Sequence, residues 1–166
     1  MYDVNKLFSG LVQLGEWLRE EAAGDGQTLR SAEAQNGWFT PESVTKACQS
    51  HGEALRAEEL TRWRDMYVWP EGPTGLSVGL IMAGNLPMVG WHDLMCAVLA
   101  GHEVHVKLSK DDAVLPRWAF QQWCAFCPGL ESRVTFHEGM MKGMDAVVAT
   151  GGQNAVSYTH LTLPTT

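Results

Sequence analysis

The feature that most constrains the fold is a short, almost entirely apolar run, residues 76–82, which is followed at once by a turn containing Gly84 and Asn85. Such a run is typical of a strand that is buried on both faces of a sheet. An apolar segment follows to about Ala100, and Gly101 stands where a helix C-cap glycine belongs. Strand, tight turn and helix in this order predict one unit of a parallel α/β sheet.

The same alternation continues along the chain. Val104 and Val106 indicate a second strand that ends at Lys107, and residues 109–112 can cap a helix that stops at Pro128. Two further strands are predicted at 134–136 and 145–149. In a parallel sheet of this kind, ligands bind beyond the carboxyl ends of the strands. Three segments should lie at that edge: 83–87, 107–110 and 150–153.

The first part of the chain is predicted to be helical. One helix should be capped by Asp3 and end near Gly24, and another should begin at Thr40 with Pro41 in its first turn. We interpret residues 53–64 as a charged helical segment and residues 69–75 as a loop, and a polar stretch precedes Gly37. The predicted division is a helical segment over 1–70 and a partial dinucleotide-binding α/β domain over 71–155.

The last part of the chain, residues 156–166, does not continue the apolar periodicity. It resembles the translation of a sequencing adapter, and such scars are excluded from fold reasoning. We therefore expect these residues to be an artefact and the natural sequence to continue differently after Ala155.

Composition narrows the range of functions. Hydrophobic residues make up 45% and charged residues 19% of the chain, which favours a packed globular fold. A net charge of −7 argues against nucleic acid as a partner. The apolar stretch 76–91 is broken by glycines and a proline, so we expect no integral membrane segment. Four cysteines without a dense framework favour a reducing, cytoplasmic location, and the lone pair Cys124 and Cys127 is too weak a pattern to predict a metal site.

Four segments, 36–42, 79–93, 99–109 and 144–152, resemble in order and sequence the bacterial acyl-CoA reductases of the luminescence (LuxC) type. More distantly, their loops resemble those of aldehyde dehydrogenases. The resemblance implies an aldehyde-dehydrogenase-like α/β fold, with N-terminal helices followed by a partial, Rossmann-like parallel sheet. It also implies NADPH-dependent reduction of long-chain fatty acyl-CoA to aldehyde through a cysteine acyl-enzyme. The family's nucleophilic cysteine follows the last of these segments, so we expect the 166-residue chain to be an inactive fragment.

The resemblance assigns a role to Asn85, whose side-chain amide would stabilise the oxyanion of the reaction. A fixed donor of this kind contributes about 3 kcal/mol to a transition state. The alternative is that Asn85 only serves the turn, where asparagine is common. Met82, Ala83 and Gly84, just before it, would contact the cofactor.

Two further loops would complete the cofactor site by resemblance. Lys107 and Ser109 would bind the adenosine ribose or its 2′-phosphate. Lys110 stands where aldehyde dehydrogenases have a glutamate that binds the ribose hydroxyls, and this change favours NADPH over NADH. The turn of Thr150, Gly151 and Gly152 would accommodate the pyrophosphate and the nicotinamide ribose, because glycine lets backbone amides approach a ligand closely.

Other interpretations stay open. An aldehyde oxidiser or an acyl-phosphate reductase would use the same loops, and a non-catalytic nucleotide-binding module is a third possibility. The longer protein could form a homo-oligomer. We do not interpret His92 and Asp93 as a catalytic pair, because adjacent residues on a helix point in different directions. Cys96 is expected to be packed in the core.

Overall fold

A computed structural model describes residues 2–24 and 26–151 of the chain. The helices are α1 (Val4–Ala23), α2 (Gln27–Gln35), α3 (Pro41–Ala54), α4 (Ala57–Arg64), α5 (Trp91–Leu99) and α6 (Val114–Phe126). The strands are β1 (Ser77–Ile81), β2 (Glu103–Lys107), β3 (Val134–Phe136) and β4 (Ala146–Ala149). Two short 3-10 turns, Lys110–Asp112 and Leu130–Arg133, complete the described elements. The described chain is therefore α/β, as the sequence predicted.

The four strands form one parallel sheet in the order β3-β2-β1-β4. The chain builds outward from β1 to β2 and β3 and then returns to place β4 on the other side of β1. This reversal of strand order is a topological switch point, and ligands of open α/β sheets bind in the crevice beside it. The arrangement agrees with the predicted partial Rossmann-like sheet.

Helices and sheet share one hydrophobic core that extends from Leu7 in α1 to Val134 in β3. Trp123 of α6 is fully buried, and its indole N–H donates to the carbonyl of Leu7 at 3.2 Å. The α1–α3 crossing is close because Gly15 and Gly52 face each other: a Cβ added to either would come within about 3 Å of the other's carbonyl oxygen. The helical N-terminal segment and the α/β segment are thus packed against each other.

The helix caps predicted at Asp3 and Thr40 are present, whereas the cap predicted at residues 109–112 is not: Ser109 caps only a 3-10 turn, and α6 begins after Ala113 without a side-chain cap. The Asp3 carboxylate accepts from the N–H groups of Asn5 and Lys6, and the Thr40 hydroxyl accepts from the N–H of Ser43 at 3.1 Å. These bonds satisfy amides that a helix leaves without partners at its first turn.

One helix in this region is not indicated by the sequence. Residues 27–35, in the polar stretch before Gly37, form helix α2. Its only buried residues are Leu29 and Ala32, one helical turn apart, and they pack it against α3 and α6. Two apolar positions are too few for a periodic pattern, so tertiary packing stabilises a helix that the sequence alone does not indicate.

None of the described helices combines the length and the apolar character needed to cross a bilayer.

Candidate functional site

The carboxyl ends of β2, β1 and β4 bring the three predicted loops together. The loop after β1 lies between the other two, because β1 is the strand between β2 and β4. Backbone hydrogen bonds continue the sheet into the loops: the Met82 N–H donates to the Lys107 carbonyl at 3.0 Å, and the Thr150 N–H donates to the Ile81 carbonyl at 2.9 Å. The predicted loops 83–87, 107–110 and 150–151 thus lie at one edge of the sheet; Gly152 and Gln153 lie outside the described residues.

Gly84 lies directly against the loop after β2. A Cβ at Gly84 would lie 2.4 Å from Ser109 Oγ and 2.6 Å from Ser109 Cβ, so no side chain fits there. The Ser109 hydroxyl accepts from the N–H of Asp111 at 3.2 Å and caps the short turn that follows β2. The contact between Gly84 and Ser109 joins the first two loops into one continuous surface.

Met82 and Ala83 differ in what they can offer to a ligand. The Met82 side chain is 5% exposed and packs against Gly90, where an added Cβ would meet it at 2.6 Å. Only the backbone of Met82 could therefore reach a cofactor. Ala83 is half-buried at the edge itself.

Asn85 is exposed at the tip of the turn after β1, and its side chain makes no hydrogen bond to any described residue. An asparagine that only stabilises a turn bonds its own backbone through its side chain, as Asn36 does when it accepts from the Trp38 N–H at 3.0 Å. The Asn85 amide is thus available to a ligand at the sheet edge.

Lys107 is half-buried at the last position of β2, in register with Ile81 of β1. Lys110 is exposed and opens the 3-10 turn that follows. Both lysines belong to the segment after β2 whose Ser109 lies against Gly84.

The third loop contains a contact that the sequence did not indicate. The Thr150 hydroxyl donates a hydrogen bond to Oδ2 of Asp93, which lies in the first turn of α5. As the sequence predicts, His92 and Asp93 do not pair with each other: His92 Nε2 lies 3.4 Å from Cys96 Sγ, whereas Asp93 accepts from Thr150. Thr150 follows β4 and Asp93 lies in the helix after β1, so the bond links the segments that follow the two strands at the switch point.

A buried carboxyl group anchors the turn that carries Asn85. Asp112 is 3% exposed, and its Oδ2 accepts from the Met88 N–H at 2.6 Å. Met88 is fully buried and has φ +59°, a left-handed backbone conformation that a non-glycine residue rarely adopts. Burial raises the pKa of Asp112 to about 7, although the bond from Met88 opposes the shift.

Sequence reasoning missed Asp112 because it read residues 109–112 only as a helix cap. The distinguishing signal is tertiary: Asp112 Oδ1 is also buried and has no hydrogen-bond partner among the described residues. No spacing rule in a single sequence reveals which of two adjacent aspartates points inward.

Four thiols occur in the described chain, and burial is the leading cause of a raised pKa in each. Burial, with the negative charge of Asp112 as the next cause, raises the pKa of Cys48 to about 12. Burial and Asp93 raise that of Cys96 to about 11, and burial and Glu131 raise that of Cys124 to about 12. The pKa of Cys127 is also raised. Cys96 is half-buried rather than packed in the core.

Away from the sheet edge, a cavity of about 610 Å³ lies between α5 and the segment that follows α4, and aromatic rings of Trp63, Tyr67 and Trp69 line it. No group of three or more histidine, cysteine, aspartate or glutamate side chains in the described ranges is arranged to hold a metal ion.

Comparisons with protein-family profiles and with curated protein sequences found no match to this chain.

Proposed function

We propose that this chain is the cofactor-binding N-terminal part of an aldehyde-dehydrogenase-like reductase, which in its longer form converts long-chain fatty acyl-CoA to aldehyde with NADPH. The observation that carries the proposal is the convergence of three loops at the switch point of a parallel sheet. These loops are the segments through which the sequence resembles the luminescence-type acyl-CoA reductases.

The turn after β1 would supply the oxyanion donor. Asn85 is exposed and its amide is uncommitted among the described residues, and Asp112 fixes the same turn through the Met88 N–H. Catalysis by such a donor depends on its being held in place before charge develops on the substrate. The buried Asp112 carboxyl group supports the proposal because it holds the backbone of this turn through Met88.

The loop after β2 would bind the adenosine end of the cofactor. Lys107 and Lys110 bring positive charge to a chain whose net charge is −7, and Ser109 lies between them. Lys110 occupies the position at which a glutamate would bind ribose hydroxyls, and its charge favours a 2′-phosphate instead. NADPH is therefore proposed over NADH. When bound, NADPH would supply the hydride, and the backbone of Ala83 and Gly84 would border it.

The nucleophile is proposed to lie in the continuation of the protein. Acyl transfer from CoA needs a thiolate, and catalytic thiols are activated by a lowered pKa or an adjacent base. The pKa shifts of Cys48, Cys96, Cys124 and Cys127 run in the opposite direction, because burial favours the neutral thiol. These four side chains suit structural roles, so the isolated chain is expected to bind cofactor without turnover.

The test is an assay of the longer reading frame with a long-chain acyl-CoA and NADPH, with aldehyde as the measured product. We expect aldehyde formation, and a loss of about 100-fold in kcat for Asn85→Ala, which corresponds to about 3 kcal/mol. Asn36→Ala is not a suitable control because Asn36 is buried, whereas Gln13→Ala changes an exposed amide remote from the edge.

Three results would count against the proposal. Absence of aldehyde with every acyl-CoA would reject the acyl-CoA reductase function. Aldehyde oxidation or acyl-phosphate reduction by the same protein would retain the fold assignment and replace the substrate. Activity that is equal in Asn85→Ala and wild type would reject the oxyanion role.

A further inference from the structure

The cavity of about 610 Å³ between α5 and the segment after α4 has two walls of different kinds. One wall is α5, along which His92, Cys96 and Ala100 follow at intervals of four residues and so share a face. The other wall is formed by Trp63, near the end of α4, and by residues 67–70. Concave spaces of about 300–1,000 Å³ that are lined mainly by apolar and aromatic side chains are typical of small-molecule sites.

This cavity is separate from the proposed cofactor site. Pro70, which lines it, lies against Gly101: a Cβ added to Gly101 would be 3.2 Å from Pro70 Cγ. Gly101 precedes β2, so this end of the cavity is at the amino ends of the strands. None of the described residues in the loops beyond the carboxyl ends lines the cavity, so a ligand in it would not take the place of the cofactor.

Three aromatic rings of the lining stand at steep angles to one another. The ring planes of Trp63 and Trp69 are inclined at 77°, and their centroids are 5.4 Å apart. Tyr67 is inclined at 76° to Trp63 and at 64° to Trp69, with centroid distances of 6.4 and 5.8 Å. Rings in this arrangement can turn their faces towards one common point, as three adjoining walls of a box do.

The two tryptophans are held in place by the fold. Buried Phe8 packs against both rings, with centroids 5.8 Å from Trp63 and 5.2 Å from Trp69. The Trp69 indole N–H donates to the Arg64 carbonyl at 2.8 Å. Tyr67 is 57% exposed and forms the solvent side of the group. A site whose walls are fixed before binding loses less conformational entropy when a ligand enters.

The chemistry of the lining excludes several kinds of ligand. Among the described residues that line the cavity, none is a lysine, arginine, aspartate or glutamate. A phosphate or carboxylate would therefore find no cationic side chain, and an ammonium group with N–H donors would find no carboxylate. His92 Nε2 and Cys96 Sγ lie 3.4 Å apart and contact each other. Burial, followed by the charge of Asp93, raises the pKa of Cys96 to about 11, so this thiol is neutral near pH 7.

A cation without N–H groups suits these walls. The faces of aromatic rings attract a cation that lies within about 6 Å of the ring centroid, and tryptophan attracts it most strongly. A trimethylammonium group is such a cation: its methyl groups make apolar contacts, and it has no donor that would be left unpaired. The net charge of −7 adds a long-range attraction for cations.

We propose that Trp63, Tyr67 and Trp69 form an aromatic cage that binds a small, soluble compound carrying a trimethylammonium group. The methyl groups would contact the three rings, and the remainder of the compound would lie along the face of α5 that contains Cys96 and Ala100. This site goes beyond the proposed function and does not depend on it.

The test compares choline with 3,3-dimethylbutan-1-ol, which has the same shape but a carbon atom in place of the charged nitrogen. Dissociation constants for the 166-residue chain are measured by the change in tryptophan fluorescence, since two of the three proposed cage residues are tryptophans. Potassium chloride keeps the ionic strength of the two titrations equal. We expect choline to bind about tenfold more tightly than the uncharged compound, because only the charged compound gains the cation–π attraction.

Variants of Tyr67 test whether the rings cause this preference. Tyr67→Leu removes a ring but keeps an apolar side chain, so the preference for choline should fall about threefold while the affinity for the uncharged compound changes little. Tyr67→Phe keeps the ring and should keep the preference. Trp38→Leu is the control for an exposed tryptophan outside the cavity, since Trp38 is 91% exposed, and it should bind as wild type does. Melting temperatures report whether each variant folds.

Three results would overturn the cage. Equal affinity of wild type for choline and the uncharged compound would show that the cavity is only apolar. Absence of saturable choline binding would reject the site altogether. An undiminished preference in folded Tyr67→Leu would show that the rings do not select the charge. None of these results bears on NADPH, whose proposed site lies beyond the carboxyl ends of the strands.

Discussion

At the scale of single residues, Gly84 shows how closely the loops of the edge are packed. We expect Gly84→Ala to destabilise the fold by about 1–3 kcal/mol, the usual cost of forcing extra atoms into a filled space. The reason is that the new Cβ would lie 2.4 Å from Ser109 Oγ. Urea denaturation measures the change. Gly37→Ala is the matched control, because nothing lies within 4 Å of its Cβ position; equal stability of the two variants would contradict the described contact.

Asp112 makes stability depend on pH in a defined direction. Its pKa of about 7 in the fold exceeds the ordinary carboxyl value of 3.8, so the folded state holds a proton that the unfolded chain releases. Its contribution to stability is complete below about pH 4 and is lost as pH rises to about 7. We expect the free energy of unfolding of the wild type to fall over this window. In Asp112→Asn, the fall over the same window should be smaller by roughly a few kcal/mol.

Denaturation at several pH values between 4 and 8 tests this expectation. Asp111→Asn is the matched control, since Asp111 is the exposed neighbour of Asp112 and its replacement should leave the slope unchanged. Parallel slopes for wild type and Asp112→Asn would show that Asp112 ionises as an ordinary surface carboxylate.

At the scale of single elements, two histidine side chains link β2 to the end of β3. His105 Nδ1 and His137 Nε2 are 2.8 Å apart, and their ring centroids are 5.1 Å apart, which means that the rings point towards each other. This geometry suits one N–H···N hydrogen bond. Glu103 Oε1 lies 3.5 Å from the other nitrogen of His105 and can orient that ring.

We expect the two histidines to be coupled by about 1 kcal/mol in a double-mutant cycle with alanine, the net value of a typical hydrogen bond. Denaturation of the two single variants and the double variant measures the coupling. A cycle of His105 with Glu42, an exposed residue in the first turn of α3, is the control and should give a coupling near zero. Additive effects in the His105–His137 cycle would contradict the bond.

Elements also show what a single sequence can predict. Most elements could be predicted, namely the strands and helices α1, α3, α5 and α6. In each of them a regular spacing of apolar residues is bounded by a capping residue or by a glycine or proline, as at the Thr40–Pro41 start of α3. Helix α2 could not be predicted, because its helical state depends on contacts made by Leu29 and Ala32. The loops of the edge were predictable as a group from strand order, whereas the contacts of Asp93 and Asp112 depend on residues far away in sequence.

At the scale of the whole molecule, β4 is the most exposed part of the described sheet. It lies at one end of the strand order, and Val148 is 45% exposed. The strand contains no charge and no proline, the features that protect a free edge from pairing with other chains. No described helix makes an extensive contact with it.

We expect this strand to make the chain self-associate, and Val148→Lys to reduce the association because a charged side chain on an edge strand opposes pairing with another chain. Sedimentation velocity at increasing concentration measures the effect. Met66→Lys is the matched control, since Met66 is 69% exposed but lies in the segment after α4. The same concentration dependence in wild type and Val148→Lys would exclude β4 as the contact.

The proposed function depends on cofactor binding at the carboxyl edge of the sheet. A titration of the ¹⁵N-labelled chain with NADPH, followed by amide chemical shifts, tests this most directly. We predict saturable shifts at residues 83–85, 107–110 and 150–151, with NADPH binding more tightly than NADH. Saturable shifts confined to the aromatic cavity near Trp63 and Trp69, or no shifts at millimolar NADPH, would contradict it.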